Sequence, residues 1–111
     1  MTTNPSLPRR PLGSTGLMVT PICVGGAPLG DMPETFAYSA PEDQALATIR
    51  ATFASPINFL DTAAAYGDGE SERRIGKVIR ELGGLPEGFV LATKGDRDLH
   101  TGDFSGEQFK R

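Results

Sequence analysis

The chain has one cysteine, one histidine and no tryptophan among its 111 residues. A lone Cys23 cannot close an internal disulfide, so the sequence fits a reducing compartment, and a cytoplasmic location is expected. One His and one Cys, far apart in sequence, leave no transition-metal constellation. Long apolar runs are missing too, and no stretch approaches the ~18 residues that a membrane-crossing helix requires. Met1 to Arg10 holds Pro5, Pro8, Arg9 and Arg10 but no apolar segment, so it does not read as a signal peptide. Basic excess is also lacking. Against 14 Asp and Glu stand 11 Lys and Arg, a formal charge of −3, and no Lys/Arg cluster offers a footprint for nucleic acid. Anions can still be held locally by helix N-termini and single lysines, so an anionic cofactor is compatible with this charge.

What the chain does have is enough apolar content, 38%, for one core. Its length allows at most one domain. With 14 Gly and 9 Pro it is also rich in loops. Residues 1–8 read as a flexible end. Arg10 to Val19 holds two short runs around Gly13-Ser14-Thr15-Gly16, a hairpin signal. Ile22-Cys23-Val24 is a brief β run halted by Gly25-Gly26 and Pro28, and residues 25–38 read as loop. Ser39-Ala40-Pro41-Glu42 has the capping-box pattern, with Leu46, Ile49 and Phe53 behind it at helical spacing, which predicts a helix from about Pro41 to Ala54. Ile57-Asn58-Phe59-Leu60 reads as a strand. A second helix is expected from Glu70 to Leu82, with Asp68 as N-cap, Ile75, Val78, Ile79 and Leu82 as the apolar stripe, and Gly83-Gly84 as the stop. Arg73, Arg74, Lys77, Arg80 and Glu81 are expected on its solvated face. Phe89-Val90-Leu91-Ala92 is a continuously apolar strand, as burial on both faces would require. Successive β runs at Ile22, Ile57 and Phe89 lie 35 and 32 residues apart, which suits right-handed βαβ units and a parallel sheet.

Three polar groups end these apolar runs. Asp61 and Tyr66 follow the second strand in Asp61-Thr62-Ala63-Ala64-Ala65-Tyr66-Gly67, and Lys94 follows the third in Ala92-Thr93-Lys94. Taken singly, each has an ordinary explanation: a turn carboxylate, a packed phenol, a solvated amine. Two strands of one parallel sheet, however, deliver all three to its C-terminal edge, where such architectures place their chemistry. An ammonium favours the phenolate form of a neighbouring phenol, and a carboxylate holds that ammonium charged and in place. The trio suits protonating a carbonyl oxygen while a hydride arrives at carbon, and the hydride must come from a cofactor. Other patterns fail. Gly25 to Gly30 is not G-x-G-x-x-G, Gly76-Lys77 lacks the rest of a phosphate loop, and Asp68, Glu70 and Glu72 suit a helix N-terminus better than a metal.

The block Ile57 to Gly67, followed by Glu70-Ser71-Glu72 and Ile75-Gly76, resembles the signature of the aldo-keto reductases. Leu12-Gly13-Ser14-Thr15-Gly16-Leu17, Val24-Gly25-Gly26 and Ala92-Thr93-Lys94 match that family in order and spacing, so the resemblance runs from about Arg9 to Gly95. The wording Ser71-Glu72-Arg73-Arg74-Ile75-Gly76 leans toward the aldose and fucose dehydrogenase branch. The resemblance implies an α/β fold, the N-terminal portion of a (β/α)8 TIM barrel with an N-terminal β-hairpin closing its bottom. A whole barrel takes about 250 residues, so residues 1–111 are expected to form a partial, incomplete domain. It further implies NADPH or NADH as cofactor and a small carbonyl or sugar as substrate. By the same resemblance Tyr66 is the general acid/base, Lys94 its cationic partner and Asp61 the group orienting Lys94. Gly25, Gly26 and Ala27 form the turn beneath the nicotinamide ribose, with Asp61 beside that ribose. Gly26 stands where many members carry Thr. The family's site also has a His ending the next strand; His100, in a polar loop, is not expected to be that residue. The alternative expectation is a non-catalytic remnant that associates with a partner chain.

Overall fold

The computed structural model describes residues 7–95. β1 (Arg10–Pro11) and β2 (Met18–Val19) pair antiparallel. The turn between them is closed by Leu12 N–H donating to Leu17 O at 2.9 Å and by the Thr15 hydroxyl donating to Leu12 O at 2.6 Å. β3 (Val24–Gly25), β4 (Phe59–Asp61) and β5 (Val90–Ala92) form a parallel sheet in the order β3-β4-β5. A 3-10 turn (Pro28–Gly30), α1 (Pro33–Phe36) and α2 (Glu42–Ala54) connect β3 to β4, and α3 (Glu70–Leu82) connects β4 to β5.

The core sits between the sheet and the two longer helices. Leu60, in the central strand, is wholly buried with Ile49 of α2 and Ile75 and Val78 of α3, and Leu29, Ala45 and Leu46 complete the cluster. Phe53 and Phe89 meet edge-on with centroids 4.8 Å apart, the arrangement their ring quadrupoles favour. Asn58 joins the antiparallel pair to the sheet. Its side-chain oxygen accepts from Thr20 N–H at 2.7 Å, and its amide donates to Met18 O at 2.8 Å and Gly88 O at 3.0 Å. Because Asn58 and Gly88 precede β4 and β5, the antiparallel pair lies at the N-terminal end of the sheet.

Several local expectations are corrected. The Ser39 capping box does not form: the chain is still extended at Pro41 (ψ 153°), so Pro41 is the N-cap, without a side-chain cap, and its carbonyl accepts from Ala45 N–H at 3.0 Å. Asp68 does not cap α3 either. It adopts φ 55° within the turn, and Gly69 is the N-cap. The 25–38 loop contains the 3-10 turn and α1. The Gly83-Gly84 stop is a Schellman motif, with Gly84 N–H bonding to Ile79 O at 2.9 Å and Gly83 N–H to Arg80 O at 3.2 Å. Leu82, the last residue of α3, is 52% exposed and does not join the buried stripe of Ile75 and Val78. β5 is half-buried rather than buried on both faces, because among the described residues it is an edge strand.

Arg74 is the largest correction. It is 5% exposed and not solvated. Its guanidinium donates to Leu29 O and Ala40 O, both at 2.9 Å, and to Glu70 at 3.0 Å. These bonds tie both ends of the excursion after the 3-10 turn to α3, and they satisfy a charge that would otherwise be costly to bury.

Glu70 also accepts from Arg73 at 2.6 Å, and Glu42 binds both Arg73 and Lys77, so α2 and α3 are joined by charge. The Arg73 hydrogen bond, aided by that of Arg74, holds the Glu70 carboxyl at about 2, well below its ordinary value of 4.5. A depressed carboxylate stabilises the fold above its unfolded value and loses that contribution as pH falls through the folded value. Stability should therefore decline from about pH 5 toward pH 2. Glu70→Gln should flatten that decline in acid-denaturation curves; an unchanged profile would contradict this assignment.

Candidate functional site

The strand register builds the site. Gly25 aligns with Asp61, and Asp61 with Ala92, so the three strands end level. Side chains alternate along a strand, so with Leu60 committed to the core, Asp61 is turned to the other face. Two residues beyond Ala92, Lys94 reaches back across the strand end. Its ammonium donates to both Asp61 oxygens, at 3.0 and 2.9 Å, and to Thr62 O at 2.8 Å. Pairing continues past the strands, with Thr62 N–H on Ala92 O at 2.8 Å and Ala64 N–H on Lys94 O at 3.1 Å.

Tyr66 arrives on the tight turn between β4 and α3. Its N–H bonds to Ala63 O and its carbonyl accepts from Ser71 N–H, each at 3.2 Å. The Lys94 ammonium lies 5.3 Å from the Tyr66 ring centroid, inside cation–π range. Lys94 thus touches both other members of the sequence-derived trio. Hydrogen bonding to Asp61 raises the Lys94 pKa above its ordinary value, outweighing partial desolvation, and the Asp61 charge adds to it. A raised amine stays protonated below its ordinary value and discharges only as pH rises beyond it. At neutral pH Lys94 is therefore a fixed positive charge, not a base. The side chains of Lys94 and Asp61 are 50% and 39% exposed, so the pair faces an open approach.

Gly25, Gly26 and Ala27 curve over the neighbouring strand end. Gly26 N–H donates to Asp61 O at 2.7 Å. A Cβ on Gly26 would stand 2.9 Å from Asp61 O and 3.1 Å from Ser71 Oγ, so a side chain larger than hydrogen does not fit. Gly25 differs, since it is exposed and a Cβ there would meet only open space. His100 lies outside the described residues. Among the described residues no cluster of His, Cys, Asp and Glu could hold a metal.

Sequence reading passed over the residues that hold this arrangement. Ser71 and Thr62 are buried and hydrogen-bonded to each other at 2.7 Å, and Ser71 also donates to Gly26 O at 2.7 Å. Gly30 and Gly67 cross backbone to backbone, and a Cβ on Gly30 would stand 2.7 Å from Tyr66 O. A signal was present for two of the missed residues. Ser71 and Arg74 share the core-facing stripe with Ile75 and Val78, and a polar residue at such a position must find buried partners.

A parallel sheet ending in a phenol, an ammonium and a carboxylate defines an α/β protein with a polar site at its C-terminal strand edge. Residues 21–108 match the aldo/keto reductase family, and the chain belongs to it. It is 38% identical over 102 residues to L-galactose dehydrogenase of Arabidopsis thaliana, covering 92% of this chain and 31% of that protein. It is 39% identical over 98 residues to pyridoxal 4-dehydrogenase of Microbacterium luteolum, covering 88% of this chain and 26% of that one. Among solved structures, a putative aldo-keto reductase of Pseudomonas aeruginosa superposes with TM-score 0.70 at 33% identity, over 93% of this chain and 39% of the other. An aldo-keto reductase of Bacillus halodurans in its holo form gives 0.66 at 28% identity, over 86% and 28%. The chain thus spans between about a quarter and a third of the length of these curated relatives.

Proposed function

We propose that the full-length protein is an oxidoreductase that transfers a hydride between NADPH or NADH and a small carbonyl or alcohol, such as an aldehyde, ketone or aldose. The observation that carries this reading is the Lys94 ammonium bound to the Asp61 carboxylate and set 5.3 Å from the Tyr66 ring at the strand edge. In this reading the described sheet is the first part of a (β/α)8 barrel, and the β1–β2 pair covers its N-terminal end.

Tyr66 acts as the general acid, giving its hydroxyl proton to the carbonyl oxygen as that oxygen gains charge. Lys94, permanently charged at neutral pH, favours the phenolate that is left behind and strengthens the local field. Asp61 holds Lys94 by both oxygens and so fixes where that charge sits. In alcohol oxidation the same groups work in reverse. The nicotinamide cofactor, when bound, supplies or accepts the hydride. Gly25, Gly26 and Ala27, together with Asp61, would hold its ribose. The residues present fit that role: the turn carries no side chain larger than the Ala27 methyl, a Cβ on Gly25 would meet only open space, and the Lys94–Asp61 pair is accessible.

A second reading keeps the family and drops the catalysis. β3 and β5 are both edge strands among the described residues, and open edges invite pairing with another chain. Titration of the full-length protein with NADPH and NADH, followed by nicotinamide fluorescence, separates the two. Saturable binding is expected. A protein that binds neither dinucleotide and self-associates would favour the second reading.

A further inference from the structure

We propose that Ser71 is a positioning residue that sets the distance between the Gly25–Gly26–Ala27 turn and the Lys94 ammonium. This rests on the oxidoreductase reading above. The hydrogen bonds themselves determine its direction of action. Ser71 has one hydroxyl hydrogen, and Gly26 O, at 2.7 Å, can only accept it. Thr62 must therefore be the donor in the 2.7 Å bond between the two hydroxyls. The chain of donation runs from Thr62 to Ser71 to Gly26.

That chain closes a ring. Gly26 N–H donates to Asp61 O at 2.7 Å. Lys94 binds the Asp61 carboxylate at 2.9 Å and Thr62 O at 2.8 Å. Each residue of the ring is thus held by two others, and Ser71, from the first turn of α3, is the only helix residue in it. Ser71 is 0% exposed and Thr62 1%, so solvent cannot take over a lost bond. A Cβ on Gly26 would stand 2.9 Å from Asp61 O and 3.1 Å from both the Ser71 hydroxyl and Thr62 Cβ, so the turn meets strand and helix with little slack.

Among the described residues, removing the hydroxyl leaves Gly26 O with only the neighbouring Leu29 N–H, at 3.1 Å, and leaves the Thr62 hydroxyl without an acceptor. The turn keeps its Gly26 N–H bond to Asp61 O but loses its tie to α3, so it can shift relative to Lys94 and Tyr66. Small misplacements of that kind are expensive when a hydride and a proton must move together.

The test uses the full-length protein with Ser71→Ala and, as a second variant, Thr62→Val, which keeps the side-chain shape and removes the donor. Steady-state turnover is measured with reduced cofactor and with cofactor deuterated at the transferred position. The expected result in Ser71→Ala is a fall in kcat of about tenfold or more, a raised KM for the cofactor and a larger deuterium isotope effect. The same changes are expected in smaller degree in Thr62→Val, which leaves Ser71 bonded to Gly26 O. A purely structural role would lower the melting temperature and the active fraction but leave the cofactor KM and the isotope effect unchanged, and that outcome overturns the proposal. The two readings fail separately. If the wild-type protein neither binds a dinucleotide nor turns over, the oxidoreductase reading has failed. If the wild type turns over and the variants keep its KM and isotope effect, the positioning role alone has failed.

Discussion

Tyr66→Phe in the full-length protein should lower kcat for carbonyl reduction by about 10²–10⁴-fold, the usual contribution of a positioned general acid. The substitution is informative because of what it leaves alone. Phenylalanine keeps the ring that faces Lys94 at 5.3 Å, so the cation–ring contact persists. The backbone bonds of Tyr66 to Ala63 and Ser71 do not involve its hydroxyl. Dinucleotide affinity and melting temperature should therefore stay near wild type while turnover collapses. Undiminished turnover would remove Tyr66 from the chemistry, and a parallel loss of dinucleotide binding would show that its role is structural.

Gly67→Ala should be the most damaging single change to the fold near the site. Gly67 has φ 65°, a conformation that costs an alanine about 1–2 kcal/mol. Its new Cβ would also be driven into the Gly30 backbone, deep inside van der Waals contact with its carbonyl. Overpacking of this kind adds about 1–3 kcal/mol, for a total of roughly 2–5 kcal/mol. Gly69→Ala is the internal control. Gly69 also has positive φ, 91°, yet a Cβ there meets nothing within 4 Å, so only the conformational cost applies. Denaturant midpoints should place Gly67→Ala well below Gly69→Ala. Equal midpoints would mean that the loops after β3 and β4 do not cross as closely as described, and that the route by which Gly30 braces the Tyr66 turn is absent.

The strand ends were the most legible part of the sequence. Short apolar runs stopping at Asp61 and just before Lys94 mark where a buried strand meets the surface, and the strand register then accounts for Lys94 meeting Asp61. Helix interiors were legible for a similar reason, because Leu46, Ile49, Ile75 and Val78 repeat with the helical period. Helix beginnings were not. Ser39 and Asp68 are good caps by residue type, but capping depends on dihedral angles, and the chain is extended at Pro41 and left-handed at Asp68 and Gly69. The charge of Arg74 points to solvent, although its spacing relative to Ile75 and Val78 places it on the buried stripe. The ring through Ser71, Thr62 and Gly26 was hidden because its bonded partners are as many as 45 residues apart and meet only after the sheet forms. The crossing of Gly30 and Gly67 was hidden for the same reason.

The measurement that bears most directly on the central claim is carbonyl-dependent oxidation of NADPH and NADH by the full-length protein, run beside Tyr66→Phe at matched dinucleotide saturation. The account predicts oxidation of one or both cofactors in step with carbonyl consumed, lost in the variant while the dinucleotide still binds. Failure of the wild-type protein to bind or oxidise either cofactor, or equal rates in the two proteins, would contradict it.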